Sequence, residues 1–229
     1  WFHAASVGEV NAVIPLLKRF MMAHPEQPLL LTTTTISGFQ NARSRIPDIT
    51  HHFLPFDFHH SVRRFLKRLQ PKALFVVETE IWPNLFRECD KQGIPIEIIN
   101  GRLSQKSLSS PAWVRQLYRD ALTRVDQIAS RSERDRDAFI SLGADPEKCQ
   151  TFGNIKYASP IEKERLEPFS EINRPIVITA STRDGEEQLI AASWRAANTN
   201  NHLLVIVPRH PERLIEILKD LAGYSIAIR

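Results

Sequence analysis

Cysteine is scarce in this chain of 229 residues, and long apolar runs are missing altogether. Cys89 and Cys149 are too few for a disulfide framework and too isolated for a metal site, so they read as two reduced thiols of a cytoplasmic protein. No other residues show metal-ligand spacing, and neither a metal nor a cofactor is expected. No apolar stretch approaches the ~20 residues that cross a bilayer. The opening Trp1-Phe2-His3-Ala4 has neither the basic n-region nor the long apolar h-region of a signal peptide. Because the first residue is Trp1 rather than Met, further residues are expected upstream. Internal repeats and low-complexity segments are also lacking.

What is present has the composition of a globular domain: 42% hydrophobic and 24% charged residues. The net charge of +4 favours anionic partners in general, among them phosphorylated sugars, acidic lipid headgroups and nucleic acid. Charge does not choose among them, but the basic residues are scattered and form no stripe or recognised binding motif. No nucleic-acid partner is expected.

Short apolar runs alternate with longer amphipathic ones. Strands are predicted at 1–4, 28–33, 73–77, 95–100, 127–129, 176–180 and 203–207, where β-branched and aliphatic residues occupy both sides of the alternation, as in a parallel strand covered on both faces. Helices are predicted from Glu9 through Val13, Leu16, Leu17 and Phe20, and near 61–69, 84–92, 113–124, 133–142, 186–197 and 211–221. Gly93 and Gly143 stand where helix C-terminal glycines belong. The alternation predicts an α/β fold with doubly wound sheets. The charged, proline-containing stretch after Tyr157 divides the chain into a first domain (1–160), a linker (161–174) and the start of a second domain (175–229), expected to be incomplete.

The chemistry-bearing segments fall where strands end, and ligands of open α/β sheets bind outside those ends. His3-Ala-Ala-Ser-Val-Gly-Glu9 joins the first strand to the first helix. There Gly8 would permit a tight turn, and the helix N-terminus would favour an ionised Glu9, ready as a base. Ser6 and Glu9 also have capping-box spacing, so a purely structural role fits equally. The hydroxyl-rich Thr32-Thr-Thr-Thr-Ile-Ser-Gly38 follows the second strand. Glu78-Thr-Glu-Ile-Trp-Pro-Asn84 puts two carboxylates at a strand end, where they are costly without a purpose. Gly101-Arg-Leu-Ser104 and Gly153-Asn-Ile-Lys156 occupy equivalent positions. Ser61–Leu69 reads as a short basic helix, with Arg63, Arg64, Lys67 and Arg68 available to acidic lipid or simply to solvent. In the second domain, Ala180–Glu187 follows one strand and Pro208-Arg-His-Pro-Glu-Arg213 the next. Pro211 at a helix start, beside Arg209 and His210, predicts an anion site.

In this order the motifs resemble the Kdo (3-deoxy-D-manno-octulosonic acid) transferase family, over essentially the whole chain. The resemblance implies a GT-B architecture of two Rossmann-like domains, and inverting transfer of Kdo from CMP-Kdo to a lipid A precursor at the cytoplasmic face of the inner membrane. It further implies Glu9 as the catalytic base and Glu78 and Lys156 as transition-state stabilisers, with Glu80 able to replace Glu78. Ser6, Gly8, Glu80, Arg102, Ser181, Thr182, Pro208, Arg209 and His210 are the implied substrate- and nucleotide-binding residues. Arg183 departs from the family's usual histidine, and the family's N-terminal anchor and a later glycine-rich segment are not in this sequence. Other readings are a GT-B transferase or sugar-nucleotide epimerase with another donor, or a fragment that only binds the lipid acceptor.

Overall fold

The computed structural model describes residues 1–158, 172–197 and 201–228. The chain forms two compact units, Trp1–Ile161 and Glu162–Arg229. The predicted linker at 161–174 lies outside the described residues except for 172–174.

In the first unit the elements run β1 (Phe2–His3), α1 (Val7–Ala23), β2 (Leu30–Thr33), α2 (Ile36–Arg45), β3 (Thr50–Phe53), α3 (His59–Leu69), β4 (Leu74–Val77) and α4 (Pro83–Lys91). They continue with β5 (Ile96–Gly101), α5 (Gln105–Leu108), α6 (Ala112–Leu122), β6 (Gln127–Ser130), α7 (Glu133–Leu142) and β7 (Cys149–Thr151). The seven strands form one sheet in the order β3-β2-β1-β4-β5-β6-β7, every pair parallel.

Successive side chains of a strand point to opposite faces, and here each face has its own core. Trp1, Leu74, Val76, Ile96 and Ile98 join Leu66, Leu85, Phe86, Leu122 and Phe139 from α3, α4, α6 and α7. Phe2, Leu31 and Val77 join Val10, Val13, Ile14 and Leu17 of α1 and Ala42 of α2. Burying a large aliphatic or aromatic side chain is worth ~1.5–3 kcal/mol, so the paired cores fix the register and the strand ends with it. The buried stripe of α1 is Val10-Val13-Ile14-Leu17; of the predicted residues Val13 and Leu17 lie on it, Phe20 packs partly buried against the same core, and only Leu16 does not. Leu16 lies on the exposed side.

Two strands escaped the sequence pattern. β3 and β7 are the sheet's two edges. Thr-His-His-Phe and Cys-Gln-Thr do not carry the apolar pattern of strands covered on both faces. Gly143 closes α7 at φ 110°, and Gly93, at φ 67°, follows the end of α4, as predicted.

The second unit comprises β8 (Ile176–Thr182), α8 (Glu186–Ala196), β9 (Leu203–Pro208) and α9 (Leu214–Asp220). β8 and β9 pair in parallel, with a register shift between Ala180 and Thr182. Ala191, Ile217 and Leu221 form its small core, while Val177, Ile178 and Val207 are exposed.

Candidate functional site

From β1 the sheet grows outward through β2 and β3, and from β4 it grows the other way through β5, β6 and β7. The neighbours β1 and β4 therefore flank the switch point of the topology, where the loops after adjacent strands diverge and leave a crevice. Glu9 follows β1, and Glu78 and Glu80 follow β4.

Glu9 is in the third position of α1, with Ser6 as the N-cap residue. Its carboxylate turns back out of the helix: Oε2 accepts from the Ala5 backbone N–H at 2.6 Å and Oε1 from the Ser6 hydroxyl at 3.2 Å. This is half of a capping box, shifted one residue upstream, and the Ser6 side chain caps no backbone N–H. No cation is paired with Glu9 among the described residues. Burial pushes its carboxyl from 4.5 up to about 7, and the charges of Glu80 and Glu78 add to the rise, against the pull of the Ala5 and Ser6 donors. Burial thus outweighs the helix N-terminus that was expected to keep Glu9 ionised. Near neutrality the group is poised to take a proton.

Gly8 does not serve the expected tight turn. It sits inside the first helical turn without a positive φ, and a Cβ there would meet only Ser6 Oγ at 3.9 Å. The glycine that matters is Gly38. A Cβ on it would stand 2.8 Å from Thr35 Oγ1 and 3.3 Å from the Ala5 carbonyl oxygen. Thr35 caps α2 by accepting from Gly38 N–H and donates to that same Ala5 carbonyl. Thr34 Oγ1 donates there too, at 3.1 Å. The hydroxyl-rich segment therefore braces the loop that presents Glu9.

Glu78 is built differently. It is 4% exposed and left-handed at φ 63°, a strained backbone for a non-glycine residue. Its carboxylate takes Arg102 Nε at 2.7 Å and Lys156 Nζ at 3.3 Å. Asn100, left-handed at φ 53°, approaches with Nδ2 at 3.5 Å. The Asn100 Oδ1 accepts from Ile155 N–H at 3.1 Å, tying the end of β5 to the 3-10 turn Ile155–Ala158 that carries Lys156. Three predicted residues from three strand ends meet in one cluster. Asn100 joins them unforeseen; its one signal was a polar amide closing an aliphatic strand.

Glu80 Oε2 accepts from Trp82 Nε1 at 3.1 Å and lies 3.8 Å from Nε2 of the fully buried His3. Trp82 opens α4, whose first amides at Asn84 and Leu85 donate to the Asp57 carboxylate at 3.1 and 2.8 Å. Two cavities of about 300 and 330 Å³ lie elsewhere, one at the strand starts near Trp1 and Lys72 and one behind Asn100 and Phe152. Glu9, Glu78 and Glu80 line neither.

A family model described as 3-deoxy-D-manno-octulosonic-acid transferase (kdotransferase) matches residues 1–159. The chain belongs to the Kdo transferase family. It is 36% identical to a 3-deoxy-D-manno-octulosonic acid transferase of Haemophilus influenzae, over 96% of this chain and 54% of that relative. The enzyme of the same name from Bordetella pertussis is 30% identical over 99% of this chain and 56% of its own length. A bifunctional glycosyltransferase/methyltransferase of Fusobacterium nucleatum is 33% identical over 95% and 35% respectively. The chain spans about half the length of the Haemophilus and Bordetella relatives and about a third of the Fusobacterium one. Among solved structures, the UDP-GlcNAc 2-epimerase of Neisseria meningitidis bound to UDP-GlcNAc superposes with a TM-score of 0.67, over 98% of this chain and 69% of that one, at 14% identity. MurG of Acinetobacter baumannii gives 0.52 at 13% identity, covering 96% of this chain and 68% of its own. These likenesses show the fold, the α/β GT-B class expected from the sequence.

In the second unit, Ser181 is left-handed at φ 63°, at the register shift of β8. Thr182 is buried, and its carbonyl accepts from Arg209 N–H at 3.0 Å, joining the ends of β8 and β9. The expected anion site at Pro211 takes another form. Residues Pro211–Arg213 make a single 3-10 turn and α9 has seven residues, so no long helix dipole aims there. His210 Nδ1 lies 3.3 Å from Glu212. Pro208 ends β9. Arg213, half-seen in the sequence as the end of a motif, holds Asp184, Glu187 and Glu216 at 3.1, 3.3 and 3.4 Å. Arg183 donates its backbone N–H to Glu186 at 2.8 Å.

Proposed function

We propose that this chain is part of an inverting glycosyltransferase that moves Kdo from CMP-Kdo to a lipid A precursor at the cytoplasmic face of the bacterial inner membrane. The observation that carries the reading is Glu9: a half-buried carboxylate at the sheet's switch point, held by two donors, paired with no cation among the described residues, and poised near pH 7. In this reading Glu9 takes the proton of the attacking acceptor hydroxyl. CMP leaves as a phosphate monoester that needs positive charge rather than a strong acid. Lys156, held in place by Glu78, supplies that charge, with Arg102 beside it. A base opposite the leaving group makes a single displacement with inversion. Ser181, Thr182, Pro208, Arg209 and His210 belong to the nucleotide side.

The membrane face is supported by α3. Val62 and Leu66 are buried, while Arg63, Arg64, Lys67 and Arg68 are exposed, near the exposed rings of Phe56 and Phe58. Among the described residues no helix is long and apolar enough to cross a membrane. The test is a mass-spectrometric transfer assay with CMP-Kdo and a tetraacylated lipid A precursor, comparing the full-length protein with its Glu9→Ala variant. The expected result is a Kdo-sized mass gain that the variant loses. Transfer that survives Glu9→Ala would move the base elsewhere. No transfer by the full-length protein with intact CMP-Kdo would sink the Kdo reading in favour of another GT-B donor.

A further inference from the structure

His3 opens the motif that carries Glu9, yet the base assignment gives it no task. It is fully buried. Most buried histidines are satisfied on both ring nitrogens; this one is satisfied on one. Nδ1 lies 3.0 Å from Thr32 Oγ1, its partner in the β1–β2 register, while Nε2 has no hydrogen-bond partner among the described residues. The nearby charge is Glu80, 3.8 Å away.

The hydrogen bonds around His3 leave two tautomers, and the carboxylate of Glu80 decides between them. Thr32 Oγ1 already accepts from Trp1 Nε1 at 2.8 Å, so its single hydrogen goes either to His3 Nδ1 at 3.0 Å or to the Phe2 carbonyl at 3.4 Å. Nε2 faces the Glu80 carboxylate, which attracts a proton there and would repel a lone pair. Nδ1 therefore accepts, and the ring proton sits on Nε2, facing Glu80. Glu80 Oε2 already takes the Trp82 indole N–H, and the Trp82 ring stands edge-on to His3, centroids 6.4 Å apart at 74°. A movement of under an ångström would bring Glu80 Oε2 between two N–H donors, the buried His3 on β1 and the partly buried Trp82 at the N-cap of α4.

We infer that His3 is a positioning residue for the transfer reaction: its Nε2–H, oriented by Thr32, holds Glu80 in place beside the base Glu9. The assignment rests on the proposed role of Glu9. Its consequence is electrostatic, because Glu80 is the first of the charges that raise the proton affinity of Glu9. A Glu80 free to swing into solvent would lose that influence, and the base would be mistuned without being touched.

Two measurements on the full-length protein test this. Nitrogen-15 NMR of its labelled histidines should show His3 as the neutral Nε2–H tautomer, with a ring signal that moves on Glu80→Gln. An Nδ1–H tautomer, or a signal blind to Glu80→Gln, would overturn the inference, and this reading needs no substrate and no His3 variant that folds. In the transfer assay, His3→Asn keeps a group only at the Nδ1 position and should lose roughly ten- to a hundredfold, the scale of a hydrogen bond to a charged group. His3→Gln carries its amide nitrogen to the Nε2 position and should restore most of the activity. The His3→Asn loss should vanish in a Glu80→Gln background. Equal losses for Asn and Gln, or a loss that persists without Glu80, would mean that His3 only fills space. Failure of the unaltered protein to transfer Kdo would count against the proposed reaction, while the NMR result still decides the tautomer and the Glu80 contact.

Discussion

Glu9 and Glu88 are buried or half-buried carboxylates of the same unit, and their surroundings are opposite. Glu88, on α4, is 2% exposed and gathers Arg63 and Lys91 at 3.2 Å with His59 at the same distance. The Arg63 hydrogen bond above all, against the cost of burial and with help from Lys91 and His59, pulls its carboxyl down to about 2. Glu9 has two donors, no cation among the described residues and two carboxylates in its field, and burial pushes it up to about 7. Where the fold only needs α3 clamped to α4, the carboxylate is given three side-chain partners, two of them from α3. Where the proposed reaction has a proton to move, the charge is left without a cation among the described residues and the surrounding loop is braced instead. Environment, not residue type, separates a clamp from a base.

The largest test of this contrast is Glu9→Gln. It should lower transfer by 10²–10⁴-fold, the usual worth of a general base, with the fold intact by circular dichroism. Glu88→Gln should do the reverse. Transfer per folded molecule stays near the parent's, while urea unfolding at pH 7 shows a loss of about 1–2 kcal/mol. That figure is kept modest because the paired cations are themselves about half exposed and screened. Lys156→Met comes next, at roughly 10²-fold in kcat, the low end for loss of one electrostatic stabiliser, since Arg102 remains on Glu78.

The smallest effect is the most diagnostic. Glu9 has a folded value raised from 4.5 to about 7, so its contribution to stability is present below 4.5 and lost as pH climbs through 7. Glu88 is lowered from 4.5 to about 2, so its contribution is present above 4.5 and lost as pH falls toward 2. Relative to the parent, the melting temperature of Glu9→Gln should therefore rise between pH 4.5 and pH 8. The deficit of Glu88→Gln should shrink between pH 4.5 and pH 2. Parallel slopes for the two variants would erase the distinction.

How legible was this in the sequence? The interior strands were, because a strand covered on both faces must be apolar on both sides, and β4 and β5 are. The edges β3 and β7 were not, since one neighbour and partial cover relax that demand. The residues Glu9, Glu78, Glu80, Arg102 and Lys156 could be named because they stand at predicted strand ends in motifs that resemble the Kdo transferase family; loop position alone left Glu9 and Lys156 open to purely structural readings. Their pairing could not be read. That Lys156 meets Glu78 rather than Glu9 depends on Asn100, 55 residues before the Ile155 amide that it anchors. Gly8 and Gly38 show the same limit. Both follow a strand by a few residues, but only the approach of α2 to the Ala5 carbonyl, a tertiary contact, makes one of them indispensable.

The most direct test of the account is the pH dependence of kcat/KM for Kdo transfer by the full-length protein, which reports the ionisation of the free enzyme's essential groups. The account predicts an acid limb with a midpoint near 7, absent from the residual activity of Glu9→Gln. A limb near 4.5, or one that survives Glu9→Gln unchanged, would contradict it.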